Sequence, residues 1–343
     1  MKIGVDAQLA IGTATGIGEY VRGLIGGLRA HGLEVAALEA RSLDPWRFDR
    51  RVLWDQVLLP LRSATSGCDL LHCASGTMPL ISAGPVVTTV HDVAWLKVQA
   101  HARPYAKWYF GRFSLARYAH ARQIVVDSEF SRSELLQFLH VPHTRVRVVY
   151  PGVAEDYCAI VRSPDEQPFL LCVGTVEKRK NLEVVIRALA SVEKQPRLVV
   201  VGPNTPYQDQ CMDLARALGV AAQIEWRGYV GRDVLLDLFA RAAVVVMPSK
   251  YEGFGYAAAQ ALCAGVPLVV STSSSLPEVV EGEAPAIDPD DASGWSLALN
   301  AILHDPARAQ ARATAVRHGA IARFAWRASI ARMCEVYEAA LQT

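Results

Sequence analysis

The chain has 343 residues and carries 35 Lys and Arg against 34 Asp and Glu, a formal net charge of +1. Its length predicts two domains, its 51% hydrophobic content excludes intrinsic disorder, and its near-neutral charge gives no case for nucleic-acid binding by the whole chain. No apolar run approaches the roughly 18 residues of a membrane span. The seven cysteines form no CxxC pair and no zinc-type cluster, so we expect reduced thiols in a cytoplasmic protein without a metal site.

Short β-branched runs alternate with longer helical patterns along the chain, and the first run is typical of a strand rather than of a signal peptide. The strands predicted before Pro151-Gly152 are Ile3–Asp6, Val35–Glu39, Asp69–Cys73, Val86–His91, Ile124–Asp127 and Val146–Val149. Those predicted after it are Phe169–Val173, Arg197–Val201, Gln223–Trp226, Val244–Met247, Pro267–Val270 and Ala284–Ile287. This alternation predicts an α/β protein with two parallel sheets, each covered by helices in a doubly wound domain.

The domain boundary is predicted from a change in composition. The stretch Ala154–Pro168 contains two prolines and four acidic residues and is interpreted as a linker. We therefore expect a first domain over residues 1–153 and a second over residues 154–325. A last helix over residues 326–343 follows no further strand, and we expect it to pack back on the first domain.

Two motifs of the first domain follow predicted strands. The loop Gly12–Gly18 precedes a helix, and its glycines would let the backbone approach an anion at the helix N-terminus. His91-Asp92 ends a strand, where open α/β sheets bind ligands. His91 could hydrogen-bond a substrate hydroxyl, with Asp92 orienting its imidazole. A flexible loop and a structural histidine are the alternative interpretations.

The basic turn Lys178-Arg179-Lys180 lies in the first strand-to-helix connection of the second domain. An arginine fork, lysine point charges and a helix N-terminus together suit a diphosphate. The alternative is a solvated basic turn.

The segment Pro248–Gln260 is the most specific in the chain. Glu252 precedes a helix, and Gly253, Phe254 and Gly255 supply backbone amides at its start. A carboxylate beside such amides can hold polyol hydroxyls and a phosphate together. The alternative is a capped helix whose acid acts only electrostatically.

Six basic side chains and no acidic one lie between Val93 and Val126, interleaved with seven aromatic residues along a predicted helix. This composition suits an anionic amphiphile, either a lipid diphosphate or a membrane surface. The alternatives are a helix with an aromatic core face and a solvated basic face, and a stacking surface for single-stranded nucleic acid. The residues assigned to acceptor or membrane are Arg103, Lys107, Trp108, Arg112 and Arg117.

These segments in combination resemble the GT4-type retaining glycosyltransferases of the GT-B fold, in particular a mannosyltransferase-like bacterial branch. The resemblance covers nearly the whole chain. It is carried by Glu252–Gly255, Cys263–Pro267, Ser275–Val279, Gly174–Leu182, Val126–Ser131 and Val149–Val153. It implies two facing Rossmann-like domains, with the acceptor on the first and a nucleotide-sugar donor on the second. It also implies retention of anomeric configuration, no required metal and no cofactor beyond the donor.

The resemblance further implies roles for single residues. Lys180 matches the phosphate lysine, Arg179 replaces an arginine that many members carry at Thr175, and His91 matches a histidine near the sugar. Glu252 matches the first acid of an E-x7-E motif, whereas Gln260 stands at the second acid, which usually holds the ribose. The remaining matches to donor contacts are Gly16, Gly18, Pro203, Val230, Gly253, Phe254 and Gly255.

The resemblance also leads to expectations about the donor and the acceptor. The segment Trp54–Pro60 resembles one of bacterial mannosyltransferase-like members, which favours GDP-mannose, with a UDP-sugar as the main rival. The basic aromatic segment favours a saccharide acceptor on a polyprenyl diphosphate at the inner leaflet, and no nucleic acid. A non-catalytic nucleotide-sugar or glycan-binding module and a GT-B sugar-nucleotide epimerase stay open.

Overall fold

The structure is a computed structural model and describes residues 1–12, 16–97 and 104–342. The chain divides into two compact units. The first unit comprises Met1–Gly152 together with the C-terminal segment from Ala325, and the second comprises Val153–Phe324.

A six-stranded parallel sheet forms the centre of the first unit, in the order β2-β1-β3-β4-β5-β6. Its strands are β1 Lys2–Asp6, β2 Glu34–Leu38, β3 Leu70–Cys73, β4 Val86–Val90, β5 Gln123–Val126 and β6 Val146–Val148. The central strands are buried on both faces, as expected for a parallel sheet covered by helices.

Helices cover this sheet, and two of them contain a π-helical segment. The α-helices are α1 Gly16–Ala30, α2 Phe48–Leu53, α3 Leu59–Thr65, α4 Ala94–Lys97, α5 Pro104–Lys107, α6 Ser114–Tyr118 and α7 Glu129–Phe138. Trp54–Leu58 joins α2 to α3 and Trp108–Phe113 joins α5 to α6 in π geometry. Short 3₁₀ turns occur at Gln8–Ala10 and His143–Arg145. The predicted helix in the basic aromatic segment thus exists from residue 104 to residue 118.

The second unit repeats the architecture with the strand order β12-β11-β10-β7-β8-β9, again parallel. Its strands are β7 Phe169–Val173, β8 Arg197–Val201, β9 Ile224–Gly228, β10 Val244–Met247, β11 Leu268–Ser271 and β12 Ala286–Ile287. Its α-helices are α8 Glu155–Cys158, α9 Leu182–Leu189, α10 Tyr207–Ala217, α11 Arg232–Arg241, α12 Tyr256–Ala264, α13 Leu276–Val280, α14 Ala292–His304 and α15 Pro306–Phe324. 3₁₀ turns occur at Lys178–Lys180 and Ala221–Gln223. All twelve predicted strands are confirmed, with ends shifted by two residues at most.

The last helix, α16 Trp326–Gln342, packs on the first unit as predicted. Its side chains Ile330, Met333 and Tyr337 are buried in the same core as the apolar face of α1. The two helices approach closely because α1 has glycines at the contact: a Cβ at Gly23 would lie 2.2 Å from the Trp326 ring.

The stretch Ala154–Pro168 is part of the second unit rather than a free linker. Ser163 N and Asp165 N donate to the carbonyls of Ala240 and Arg241, each at 3.0 Å. The Arg162 guanidinium also donates to the carbonyls at the end of α11, including that of Ala242 at 2.5 Å. The prolines and acids that indicate a linker in the sequence therefore belong to a segment fixed along α11.

Candidate active site

The residues assigned to the donor in the second half of the chain lie beyond the carboxyl ends of four adjacent strands, β10, β7, β8 and β9. Thr175 follows β7, Pro203 follows β8, Val230 follows β9 and Glu252 follows β10. The carboxyl ends of parallel strands share one edge of the sheet, which is where open α/β sheets bind ligands. The sheet order therefore brings together motifs that are far apart in sequence.

The basic turn is fixed to the loop after β10. Lys178–Lys180 forms a 3₁₀ turn, and the next residue, Asn181, adopts the left-handed conformation with φ 54°. The buried Asn181 amide donates to the carbonyls of Pro248 at 3.2 Å and Pro289 at 2.7 Å. Lys250 N donates to the Arg179 carbonyl at 2.8 Å. These bonds orient the turn before any ligand arrives.

Glu252 is the centre of an ion-pair cluster. Lys180 Nζ donates to its Oε1 at 2.6 Å, and Arg179 donates to its Oε2 at 3.3 Å. Ser249 Oγ donates to Oε1 at 2.6 Å. Arg179 also pairs with Glu177 at 2.8 Å. The predicted phosphate cations and the predicted sugar-binding acid thus form one cluster of two cations and two carboxylates.

The cluster keeps Glu252 ionised. Burial alone raises the pKa of Glu252, but Lys180 and Arg179 favour the carboxylate and outweigh burial, so its pKa lies below its ordinary value. Charge-assisted bonds of this kind are stronger than neutral ones. A sugar hydroxyl placed here would therefore meet a hydrogen-bond acceptor at neutral pH.

Two serines hold the backbone of Glu252, a role that was not predicted from the sequence. Glu252 N donates to Ser274 Oγ at 2.9 Å, and Ser275 Oγ donates to the Glu252 carbonyl at 3.0 Å. Both serines follow β11, the neighbour of β10, and Ser249 lies three positions before the acid. Ser249 and Ser275 lie in segments that the sequence singles out, but nothing marks the role of their hydroxyls or of Ser274, because serines are common in loops at strand ends.

The residues after Glu252 enter the core. Gly255 has φ 97°, and a Cβ there would lie 2.6 Å from Leu276 Cδ2, so only glycine fits. The ring of buried Phe254 packs edge-on against Phe324 at 5.7 Å. Gly253 is buried beside it. Gln260 lies on α12 and is only 4% exposed. Phe254 can therefore serve a ligand through its backbone, while its side chain belongs to the core.

A small cavity adjoins the basic turn. Its wall includes Gly174, Thr175, Lys180, Pro248 and Ser249. Gly174 has φ 143°, and a Cβ there would lie 3.4 Å from Lys180 Nζ, so the glycine leaves the lysine room over the strand end. The cavity has a cation and a hydroxyl in its wall at the place where the sequence predicts phosphate binding.

His91 follows β4 in the first unit, and its partner is Asp127 rather than the predicted Asp92. His91 Nδ1 lies 2.7 Å from Asp127 Oδ2, and Nε2 lies 3.1 Å from the Ala74 carbonyl oxygen. Asp92 Oδ1 accepts from Ala94 N instead, at 3.0 Å. The Tyr20 ring contacts the imidazole edge-on at 4.9 Å. Both ring nitrogens face oxygen acceptors, an arrangement that suits the protonated imidazolium.

The pKa of His91 reflects this pairing. Burial lowers the pKa, but the Asp127 carboxylate and the hydrogen bonds to Asp127 and Ala74 raise it by more, so the net shift is upward. Burial raises the pKa of Asp127, against the opposing effect of His91. A substrate hydroxyl at Nε2 would have to replace the Ala74 carbonyl as the acceptor.

The glycine loop is described only in part. Gly12 has φ 80°, and Gly16 and Gly18 lie in the first turn of α1. Among the described residues, and apart from chain neighbours and the helix's own backbone, no atom lies within 4 Å of a Cβ placed at Gly12 or Gly16. Residues 13–15 lie outside the described residues. Gly12 precedes the helix and Gly16 and Gly18 open it, while their contact with a donor stays a prediction.

A buried polar network lies beyond the carboxyl ends of β1 and β3. Trp54 Nε1 donates to Asp6 Oδ1 at 2.8 Å, and Arg51 bonds Asp55 at 3.0 Å. Tyr109 OH donates to Asp55 at 2.9 Å, which joins the two π-helical segments. Burial raises the pKa of Asp55 to about 6, against the effect of Arg51. The Trp54–Pro60 motif, predicted to indicate the donor, thus has its Trp and Asp inside the first unit.

The residues assigned to acceptor or membrane separate into different environments. Lys107, Trp108 and Arg112 are exposed. Arg117 donates to the carbonyls of Pro79 at 3.2 Å and Leu80 at 2.8 Å, so it fixes a loop. Arg103 lies outside the described residues. No helix among the described residues is long and apolar enough to cross a membrane.

Two family models match the chain, and together they span most of it. The Glycosyltransferase Family 4 model matches residues 14–157, and the Glycosyl transferases group 1 model matches residues 154–318. The chain belongs to the GT4-type, group 1 glycosyltransferases. The first model lies mostly in the first unit, and the second includes the whole sheet that carries Lys180 and Glu252.

Curated relatives of this chain are named for different activities. The O-antigen chain mannosyltransferase B of Escherichia coli is 30% identical over 64% of this chain and 61% of the relative. The glycogen synthase of Mycobacterium tuberculosis is 30% identical over 75% of this chain and 63% of the relative. The chain thus spans less than two thirds of the length of either relative.

Solved structures match nearly the whole length of this chain. Sucrose-phosphate synthase from Thermosynechococcus elongatus matches with a TM-score of 0.79 at 22% identity, covering 98% of each chain. HepE of Anabaena, solved in complex with UDP-glucose, matches with a TM-score of 0.74 at 16% identity, covering 98% of this chain and 99% of that one. At these identities the likeness establishes the fold, which is GT-B.

Proposed function

We propose that this chain is a retaining hexosyltransferase that uses a nucleotide-sugar donor. The acceptor is a saccharide, free or linked to a polyprenyl diphosphate, in the assembly of O-antigen or another polysaccharide. The observation that carries the proposal is the Arg179–Lys180–Glu252 cluster at the carboxyl edge of the second sheet. It sets two cations for a diphosphate beside an ionised acid for sugar hydroxyls.

In the proposed reaction the acceptor hydroxyl attacks the anomeric carbon on the face from which the nucleoside diphosphate leaves. The anomeric C–O bond to phosphate breaks as the new glycosidic bond forms, and the leaving phosphate oxygen takes the hydroxyl proton. Lys180 and Arg179 stabilise the negative charge that develops on the diphosphate. Glu252 holds the sugar in position, which lowers the entropic part of the barrier. The proposal assigns this charge stabilisation to side chains, so added chelator should leave turnover unchanged.

Mannose from GDP-mannose is the favoured donor. The Escherichia coli relative named for mannosyl transfer supports it. The Trp54–Pro60 motif adds less, since Trp54 and Asp55 are engaged inside the first unit. A UDP-sugar is the second candidate, supported by the structural neighbour solved with UDP-glucose.

The experiment is an assay of the purified chain with a panel of GDP- and UDP-sugars and a lipid-linked saccharide acceptor. We expect a nucleoside diphosphate and a glycosylated lipid, with the product in the same anomeric configuration as the donor. An inverted product would contradict retention. Donor binding without turnover would indicate a binding module instead. A new nucleotide-sugar or free sugar formed without acceptor would indicate an epimerase.

A further inference from the structure

One face of the first unit exposes a stripe of aliphatic side chains. Leu53, Val57 and Leu61 recur every four residues along the continuous helical stretch of α2, Trp54–Leu58 and α3, which places them on one side. All three are exposed, Leu61 by 59%. The opposite side of the stretch, which includes Trp54 and Leu59, is buried in the core. These three side chains are therefore not part of the core of this unit.

A loop beside the stripe adds two more exposed aliphatic residues. Leu80 is exposed, and Ile81 is exposed by 79%. Gln56, next to Val57, fixes this loop: its Oε1 accepts from Leu80 N at 2.9 Å and its Nε2 donates to the Met78 carbonyl at 3.3 Å. Gln56 therefore holds this loop beside the helical stretch that carries the stripe.

The helix over residues 104–118 borders the same loop. Gln56 Nε2 also donates to Tyr109 OH at 2.9 Å, and Arg117 donates to the Leu80 carbonyl at 2.8 Å. These bonds fix this helix beside Gln56 and the Leu80 loop, and exposed Trp108, Lys107 and Arg112 lie on the same helix. The basic aromatic segment thus supplies exposed cations and an indole near these aliphatic residues, of which only Val57 lies in a segment that the sequence singles out.

The charges of these three segments have one sign at the surface. Over residues 53–65, 78–84 and 104–118 the only acidic residue is Asp55, which is fully buried with Arg51. The exposed charges are Arg62, Lys107 and Arg112. A partner must therefore offer an apolar interior beneath a negative surface. An anionic lipid bilayer has both layers in that order.

We propose that this apolar-basic face, Leu53, Val57, Leu61, Leu80, Ile81 and Trp108 with Arg62, Lys107 and Arg112, docks on an anionic membrane. The aliphatic side chains enter the boundary between headgroups and acyl chains, and the basic side chains meet the phosphates. The inference rests on the proposed function only in that a polyprenyl-linked acceptor would be met at this surface. Its test uses binding alone, so it can fail while the transferase proposal stands.

The test is co-sedimentation of the full chain with vesicles of phosphatidylcholine, with and without phosphatidylglycerol. We expect binding to the anionic vesicles, and the triple variant Val57→Ser, Leu61→Ser, Ile81→Ser should weaken the partition coefficient by at least about tenfold. The double variant Lys107→Gln, Arg112→Gln should remove most of the preference for phosphatidylglycerol and most of the salt dependence.

The matched control is Val161→Ser with Leu297→Ser, which removes exposed aliphatic side chains from the second unit. It should bind vesicles like the parent, and thermal unfolding of all variants should match. Absence of binding to anionic vesicles would overturn the proposal, as would an equal loss in the control. Self-association without vesicles that the triple variant abolishes would assign the face to a protein partner instead.

Discussion

Lys180 and Glu252 form a 2.6 Å ion pair although 72 positions separate them. Arg179 shares the same carboxylate at 3.3 Å, so both cations proposed to hold the donor diphosphate already have an anionic partner within the second unit. A diphosphate that binds them must compete with Glu252 for their charge or join it around them. Because of this competition, the charge of Glu252 can weaken the binding of the diphosphate and still support sugar transfer.

Glu252→Gln should therefore lower turnover while tightening the binding of nucleoside diphosphate. The amide keeps the size of the side chain, releases Lys180 and Arg179 from a competing charge, and loses the ionised acceptor for sugar hydroxyls. Calorimetry with the nucleoside diphosphate and steady-state kinetics measure the two effects. Glu155→Gln, an exposed acid of the same unit, is the control. Weaker diphosphate binding in Glu252→Gln would show that the carboxylate organises the cations rather than competing with the ligand.

Lys180→Ala and Arg179→Ala should each lower turnover by at least about a hundredfold, the scale of losing one preorganised donor at a developing charge. Lys178→Ala, in the same turn but exposed, should have a much smaller effect and is the matched control. The measurement is turnover at saturating donor. Near-normal kinetics in both variants would remove the basic turn from the active site.

Most of the fold follows from the sequence pattern. Runs such as Phe169–Val173 are short, β-branched and flanked by helical patterns, and the structure has strands there. The π-helical segments were not predicted, because they depend on a tertiary contact: Tyr109 of one meets Asp55 of the other. The linker interpretation of Ala154–Pro168 was wrong for a similar reason, since its contacts with α11 leave no mark on its own composition.

The candidate site was predicted as separate motifs rather than as one cluster. Local sequence places Lys180 after β7 and Glu252 after β10, but their contact depends on β10 lying beside β7 in the sheet. Strand order is not visible in the pattern of a single strand. The partner of His91 shows the same limit: Asp92 is adjacent in sequence, yet Asp127 comes from the neighbouring strand β5. Successive residues of an extended chain point to opposite sides, which separates Asp92 from the imidazole.

Gln260→Glu should retain turnover and leave donor binding unchanged or tighter, because it restores the acid that the family usually places there. The substitution should, however, lower the stability of the folded protein. Gln260 is 4% exposed, so the new carboxylate loses hydration, and we expect a loss of about 1–3 kcal/mol in the free energy of unfolding. Urea unfolding and donor titration measure the two effects, with Gln210→Glu on the exposed face of α10 as control. A loss of turnover in a folded variant would mean that the amide itself is needed.

The Asp127 carboxylate should make stability depend on pH through His91. The folded pKa of His91 lies above its ordinary 6.5. The pairing therefore stabilises the fold fully below pH 6.5, and this contribution disappears as pH rises through the folded pKa.

Asp127→Asn should reverse the sign of that dependence near pH 6.5, because the amide preserves the shape but not the charge and leaves a buried imidazole that resists protonation. Without the carboxylate, burial dominates and the pKa of His91 should fall below its ordinary value. NMR titration of the His91 ring measures the pKa, and urea unfolding between pH 6 and pH 9 measures the stability slope. Asp92→Asn is the matched control, since Asp92 accepts from Ala94 N and does not bond the imidazole. A larger drop in the pKa of His91 in Asp92→Asn than in Asp127→Asn would contradict the assignment, because it would make Asp92 the principal counter-ion in solution.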